Sequence, residues 1–537
     1  MTSVRSPPVS PSLSPPRLHR SVPAVAVLLA IVTTLALAAS TMSRPAPAGE
    51  PLAVSATAQA PVRAPADERP NIVLFTTDDQ RLDEMVFLPK TNELLGEQGL
   101  TFTEAITPHP LCCPARAEIM TGQLAQNNGV RTNFPPQGGY ASFDNSSTIG
   151  TDLSAAGYNT AFLGKMLNGY SLDYGRDPGW TLFNATSHGY ADYYKFVQYD
   201  NGTVERVPGY YTDYLSQKAV EYAHQLSSYD APFFMWVSHF APHPSKGREG
   251  CDDASCKNGP PKMSPGYRAL SRLAGRAPHE VLAQQMAREV TQKPSFNERD
   301  VSDKQCLVRK QRMSSTQKVM RIQQARGAAL ASVDDALARL VVQLELDGEL
   351  DNTYIVFVTD NGYQLGEHRW FGKTLPYEEN LRTPMLVRGP GVPAGATTDS
   401  IATIVDLAPT FLDIADAQTD RVLDGVSLLP TWRGETEEPL HPGGVLIQGG
   451  AYKPETGPRG WLYRGVRTAR YTYVRYHDGF VELYDRERDP YQLRSVADDP
   501  DYAPLRAELA RRTRLLQDCA GPADCNRTFG PLPHPSA

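Results

Sequence analysis

The stretch NIVLFTTDDQ, residues 71–80, decides the architecture. Residues 72–75 are an unbroken run of Ile, Val, Leu and Phe that stops just short of two adjacent aspartates. A strand with one wet face alternates apolar and polar residues, whereas an unbroken run suits a strand covered on both faces. The pattern recurs in TAFLGKMLNGY (160–170), APFFMWVSHFAPH (231–243), NTYIVFVTDNGYQLGEH (352–368) and TPMLVRGPG (383–391). Between them lie helical patterns, clearest over 321–346, where Leu330, Val333, Leu337, Leu340, Val341 and Leu344 fall at helical spacing. The expected fold is α/β: a large mixed, mostly parallel sheet with helices on both faces. After residue 443, GGVLIQGG and RGVRTARYTYVRYHDGFVELYDRERDP alternate like a small antiparallel sheet, and LRAELARRTRLL reads as a closing helix. A smaller C-terminal α+β sub-domain is therefore expected.

The chain has 537 residues and a net charge of −7, with no basic footprint for nucleic acid. Arg5, Arg17, His19 and Arg20 precede an apolar run over 22–39, and ALAAST (36–41) offers small residues for cleavage. Residues 1–42 read as an export signal or, if uncleaved, a membrane anchor. Residues 43–69 read as a Pro/Ala-rich linker. The working part is expected to be secreted or extracytoplasmic, and on a membrane only through that N-terminal segment. Export permits disulfides among the seven cysteines. Cys519 and Cys525 bracket a short tail loop and form the first expected pair; Cys251 and Cys256 are similar, with Cys306 competing for either. The odd total gives at least one cysteine another task.

In α/β sheets ligands bind beyond the carboxyl ends of the strands. Asp78, Asp79, Lys165, His243, Asp360 and Asn361 all fall there. Taken singly, each has an ordinary reading: a helix cap, a tight turn, a solvated lysine. Taken together, Asp78–Asp79 and Asp360–Asn361 supply oxygen ligands without thiolate, which suits Ca²⁺ or Mg²⁺ better than zinc. Lys165, Lys373, Arg116 and His243 add the positive donors that a tetrahedral oxyanion ester needs. LCCPARAEIMTG (111–122) sets Pro114 in the first turn of a helix. Residue 112 then sits at the helix N-terminus, where backbone N–H groups favour an anion.

CCPAR followed by MTG resembles the sulfatase signature Cys-x-Pro-x-Arg with a later Thr-Gly. GKMLNGY, APHPS, PSFNERDVSDK, DNGYQLGEH, FGKTLPYEE, RTPMLVRGPG and ELYDRERDP extend the resemblance over about residues 71–490. It is closest to the branch holding N-acetylglucosamine-6-sulfatases and bacterial arylsulfatases. The resemblance implies that a separate maturation enzyme oxidises the first cysteine to formylglycine. Only Cys112 keeps the register, since from Cys113 the third residue would be Ala115. A hydrated aldehyde then offers one hydroxyl to attack sulfur and a second to expel sulfate, splitting one hard step into two. By the same resemblance, Asp78, Asp79, Asp360, Asn361 and the Cys112-derived diol bind the cation. Lys165 and Lys373 clamp the sulfate, His243 serves the leaving oxygen, and Arg116 holds the diol or the metal-side carboxylates. Asn168 and His368 are candidate substrate contacts, with exposed structure the alternative for His368. Cys113 is expected to be a packed thiol, a disulfide remaining open.

Two positions depart from the family pattern. Leu167 stands where many sulfatases carry histidine, so Asn168 offers a hydrogen bond but no titratable proton. Ala115 stands where Ser is commoner. The expected organisation is a catalytic domain over 70–436, with a lid-like substrate-side excursion at 245–315, and a C-terminal sub-domain and tail over 437–537. The expected activity is hydrolysis of a glycan or aryl sulfate. A phosphodiesterase or phosphonate monoester hydrolase on the same scaffold, or an unmodified binder of sulfated glycans, are the alternatives.

Overall fold

The computed structural model describes residues 68–187, 193–245, 260–274, 278–451 and 460–535. The expected signal, the linker up to residue 67, and Cys251 and Cys256 lie outside the described residues. A ten-stranded sheet organises the fold. Its centre is five parallel strands, in the order Thr353–Thr359, Asn71–Thr77, Phe233–Ser238, Asn159–Gly164 and Leu182–Thr186. Antiparallel strands flank them: Met385–Arg388 on one side, Phe196–Asp200 and Thr203–Val207 on the other. The mixed, mostly parallel sheet read from the sequence is what the chain forms.

The unbroken apolar runs are explained by two cores. Ile72 and Leu74 point into one, with Phe234, Trp236, Tyr354, Val356 and Val358. Val73 and Phe75 point into the other, with Met235, Val237, Ile355 and Phe357. Successive side chains leave opposite faces, so both sets must be apolar when both faces are covered. The second core lies under the helix Thr316–Leu346, which begins at Ser315, whose hydroxyl accepts the Lys318 N–H at 3.2 Å. Within the expected excursion, the helix Pro278–Gln292 buries Ala283 and Met286 in that core. Tyr267, in the helix Pro265–Ala274, donates its hydroxyl to the Ala331 carbonyl (3.1 Å) or Asp335 (3.0 Å) on the long helix.

The C-terminal residues form a separate antiparallel sheet of four strands: Val445–Gly450, Trp461–Arg467, Tyr471–Tyr476 and Val481–Asp485. The helix Ala503–Leu516 covers it through Leu505, Leu509 and Leu516. Cys519 and Cys525 are disulfide-bonded beyond it, and Cys306 is free. Asp424 latches this tail to the segment after the helix Cys112–Thr121. Its Oδ2 accepts the Leu124 N–H (2.7 Å) and the Asn127 side-chain amide (2.8 Å), while Oδ1 accepts the Gly521 N–H (2.9 Å). No helix among the described residues is long and apolar enough to cross a membrane.

Two predictions follow from the packing. A Cβ on Gly327 would lie 2.8 Å from the Phe87 ring, so Gly327→Leu is expected to destabilise the protein by about 1–3 kcal/mol, read as a lower urea midpoint. His441 is buried against Asp406, Nε2 to Oδ2 2.8 Å. Burial opposes its charge, but the carboxylate outweighs burial and raises its pKa above the ordinary 6.5. A raised folded pKa stabilises fully below the unfolded value and fades as pH climbs through the folded one. The stability lost in His441→Asn should therefore be larger at pH 6 than at pH 9, by urea unfolding at both.

Candidate active site

Register brings the chemistry together. Thr77 pairs with Thr359, Thr76 with Ser238, and Gly164 with Ser238, so the central strands end at nearly one level. The next residues along the chain are Asp78, Asp360, His239 and Lys165. Gly164 has φ +112°, and a Cβ there would collide with the Ser238 carbonyl. Only glycine lets the two strands close up and turn Lys165 inward.

Cys112 opens the helix Cys112–Thr121 and is 1% exposed. Its Sγ lies 3.4 Å from Asp78 Oδ1, 3.3 Å from Lys165 Nζ and 2.6 Å from Lys373 Nζ. Lys165 also contacts Asp78, and Lys373 contacts Asp79. Lys373 arrives on a loop tied down where the Thr374 N–H donates to the Pro110 carbonyl at 3.0 Å. Arg116, one turn into the helix, donates to Asp360 Oδ2 (3.0 Å), the Lys165 carbonyl (2.9 Å) and Ser238 Oγ (2.6 Å). Asn361 Nδ2 donates to Asp79 Oδ1 at 2.7 Å. His243 Nε2 lies 3.7 Å from Asp79 Oδ2, and its Nδ1 is 2.8 Å from the Pro244 carbonyl. A carbonyl only accepts, so Nδ1 carries the proton and the neutral ring turns Nε2 toward Asp79.

The electrostatics follow from this crowding. Burial alone would raise Asp78, but Lys165, His243, Lys373 and Arg116 hold it well below the carboxylate range. Burial and the Asp78 charge push Asp360 up to about 6 despite Arg116. Burial, with Asp78 beside it, drives the Cys112 thiol far above its usual value, and the lysines only partly offset this. An unmodified thiol here stays protonated and is a poor nucleophile. Burial pushes His243 down to about 4.

Cation-binding capacity is present. Ligand atoms of Asp78, Asp79, Cys112 and His243 lie within 4.8 Å of one another. Asn361 Oδ1 is buried with no hydrogen-bond partner, although its own amide nitrogen is well satisfied. An orphaned amide oxygen beside carboxylates fits a hard divalent cation. Asp360 lies outside the four-residue cluster and spans the Asp79 N–H (3.2 Å) and Arg116.

Other expected residues sit elsewhere. His368 is fully buried, with Nδ1 2.6 Å from Glu298 Oε2 and its ring stacked on Tyr377 at 4.2 Å. The exposed alternative for His368 does not hold, because Tyr377 and Glu298 enclose it. Asn168 donates its backbone N–H to Cys113 Sγ at 3.1 Å. Cys113 is a free, buried thiol that burial pushes up to about 11. Three supporting residues went unread. Asn133 Oδ1 accepts the Cys113 N–H at 2.9 Å, satisfying a first-turn donor of the helix. Ser238 seats Arg116. Arg326 donates to the Asp79 carbonyl (2.5 Å) and to both Glu84 oxygens (2.6 Å each), holding Asp79 at its φ of +65°. A charged residue on the apolar face of the long helix was the one available signal for Arg326.

Known proteins of similar sequence and structure identify the family. The sulfatase family model matches residues 70–417, and a model of the C-terminal region of N-sulphoglucosamine sulphohydrolase matches residues 366–518. Human N-acetylglucosamine-6-sulfatase is 31% identical over 512 residues, covering 86% of each chain. An N-acetylglucosamine-6-O-sulfatase of Bacteroides thetaiotaomicron is 28% identical over 490 residues, covering 82% of this chain and 85% of that one. A solved protein in complex with its substrate, D-glucosamine-2-N,6-O-disulfate, superposes with a TM-score of 0.63 at 25% identity, covering 83% of this chain and 97% of that one. With the matched family model spanning more than half of its length, the chain belongs to the sulfatase family.

Proposed function

We propose that this sulfatase removes a sulfate monoester from a glucosamine-type sugar, using an aldehyde hydrate made from Cys112. One observation carries the reading: the Cys112 side chain lies between Lys165 and Lys373, against Asp78, at a helix N-terminus. The substrate class rests on the relatives that act on N-acetylglucosamine 6-sulfate and glucosamine disulfate.

A separate maturation enzyme, working with an external oxidant, would convert the Cys112 side chain to formylglycine. The hydrated aldehyde supplies one oxygen to attack sulfur and a second hydroxyl to release sulfate. A divalent cation, Ca²⁺ with Mg²⁺ the alternative, would be held by Asp78, Asp79, Asp360 and Asn361. There it supplies an acidified hydroxyl and a polarised sulfate oxygen. Lys165 and Lys373 hold the sulfate oxygens where negative charge gathers. Arg116 fixes Asp360 and the turn of chain that carries Lys165. His243 stands at the departing sugar oxygen. Residues 70–436 would carry the catalysis, and the protein would act outside the cytoplasm after export through residues 1–42.

Cys112→Ser should bring turnover of N-acetylglucosamine 6-sulfate to background, while the peptide holding residue 112 of the active wild type should resist thiol alkylation. Wild-type activity with an ordinary, alkylatable thiol at 112 would overturn the assignment. A preference for an aryl phosphate diester over an aryl sulfate would move the enzyme to the phosphodiester class. Lys373→Gln should lower kcat by about 10²–10³-fold, as for loss of an oxyanion donor. Removing divalent cations with a chelator should abolish turnover and lower the unfolding temperature, both returning with Ca²⁺.

A further inference from the structure

A cavity of 390 Å³ lies against the reacting groups, within the roughly 300–1,000 Å³ of small-molecule pockets. Its wall includes Pro244, Tyr363 and Phe371, with Lys318, Arg321 and Arg326 from the helix Thr316–Leu346. Three links fix its place. His243 Nδ1 donates to the Pro244 carbonyl at 2.8 Å, and a ring nitrogen of His243 lies within 4.8 Å of Cys112 Sγ. One imidazole therefore separates the cavity wall from Cys112. Arg326 donates to the Asp79 carbonyl at 2.5 Å. Phe371 lies on the strand Phe371–Gly372, which pairs with Gln364–Leu365 and runs straight into Lys373. The site also opens at the two residues beside this cavity. Cys112, Asp78, Asp79, Asp360, Lys165 and Arg116 are at most 1% exposed, whereas His243 is 7% and the Lys373 side chain 13% exposed.

The charge in this cavity is one-sided. Arg326 is committed to both Glu84 oxygens and the Asp79 carbonyl. Lys318 and Arg321 have no such partners. Among the described residues, neither side chain meets a carboxylate or donates a hydrogen bond. Lys318 Nζ lies 3.6 Å from the centre of the Phe371 ring, and burial lowers its pKa. The ring offsets only part of that lost hydration. The two residues are three apart on one helix, so they share a face, and like charges at that spacing repel. No carboxylate lines the cavity. Two unpaired cations in a pocket walled by proline and aromatic rings suit a ligand with an apolar ring and an anionic group. Lys165 and Lys373 hold the scissile sulfate on the other side of His243, so that anion is a different one.

We propose that Lys318 and Arg321, with Tyr363 and Phe371, form an anion subsite beyond His243 for a negatively charged group of the substrate other than the sulfate being removed. The subsite rests on the sulfatase reading above, in which His243 stands at the departing sugar oxygen. A sugar joined through that oxygen extends past His243 into the cavity. The anion is an N-sulfo group on that sugar or the carboxylate of a neighbouring uronate.

The test compares wild type, the double variant Lys318→Gln/Arg321→Gln, and Arg339→Gln, which removes an exposed cation from a later turn of the same helix. The substrates are N-acetylglucosamine 6-sulfate, D-glucosamine-2-N,6-O-disulfate, and a disaccharide joining N-acetylglucosamine 6-sulfate to a uronate. The readout is the ratio of kcat/KM for each doubly anionic substrate to that for the monosulfate, which general loss of fold does not change. The double variant should lower a ratio about tenfold, mainly through KM, as for loss of a charge-assisted hydrogen bond. The ratio that falls identifies the source of the anion. Arg339→Gln should leave both ratios as in wild type. Unchanged ratios in the double variant, or an equal fall in Arg339→Gln, overturn the subsite. If wild type cleaves none of the three, the sulfatase reading fails separately. Calorimetric binding of the two doubly anionic ligands to wild type and the double variant then decides the subsite: weaker binding to the variant supports it, and equal binding or none to either overturns it.

Discussion

Mutual neutralisation in a dry space governs this molecule. Asp78, Asp79 and Asp360 are buried with Lys165 and Arg116, and Lys373 reaches in from a partly exposed position to pair with Asp79. None of these charges could be held there alone, since an unpaired buried ion costs several kcal/mol. The cluster exists because six side chains from separate stretches of chain arrive at once. The sheet ensures that arrival. Parallel strands in matched register end together, so the residue after each strand reaches the same place whatever its distance in sequence.

The strand ends alone do not fix the geometry. Asp79 turns through a left-handed backbone conformation that suits few side chains. Arg326 restrains it from the long helix, and Glu84 in turn pins Arg326. Pro110 and Thr374 bring the Lys373 loop beside the start of the helix Cys112–Thr121. Placement of the reacting groups is thus shared between the sheet, one helix of each layer and a loop. Each is anchored by a hydrogen bond to backbone, the least adaptable kind of anchor.

Much of this is legible in the sequence itself. Residues 72–75 and 354–358 carry no polar alternation, and only two covered faces explain that. The acidic pairs and Lys165 follow their strands so closely that topology alone places them at one edge. Residues contributed from elsewhere were harder to read. Asn133 caps a helix twenty residues earlier in sequence, and nothing in its neighbours marks it. Ser238 matters because Arg116 reaches it across the sheet. From GEHRW, His368 reads equally as a substrate contact or as exposed structure. Tyr377 stacking and the Glu298 carboxylate make burial tolerable, and both are distant choices invisible in a local window.

The Asp424 latch has a bearing on timing. It grips Gly521, far along the chain, and Leu124 and Asn127, just past the helix Cys112–Thr121. On a ribosome the second set emerges hundreds of residues ahead of the first, and synthesis proceeds at about 5–20 residues per second. For that interval the helix lacks its final fastening. In the folded protein the sulfur at 112 is almost wholly sealed from solvent.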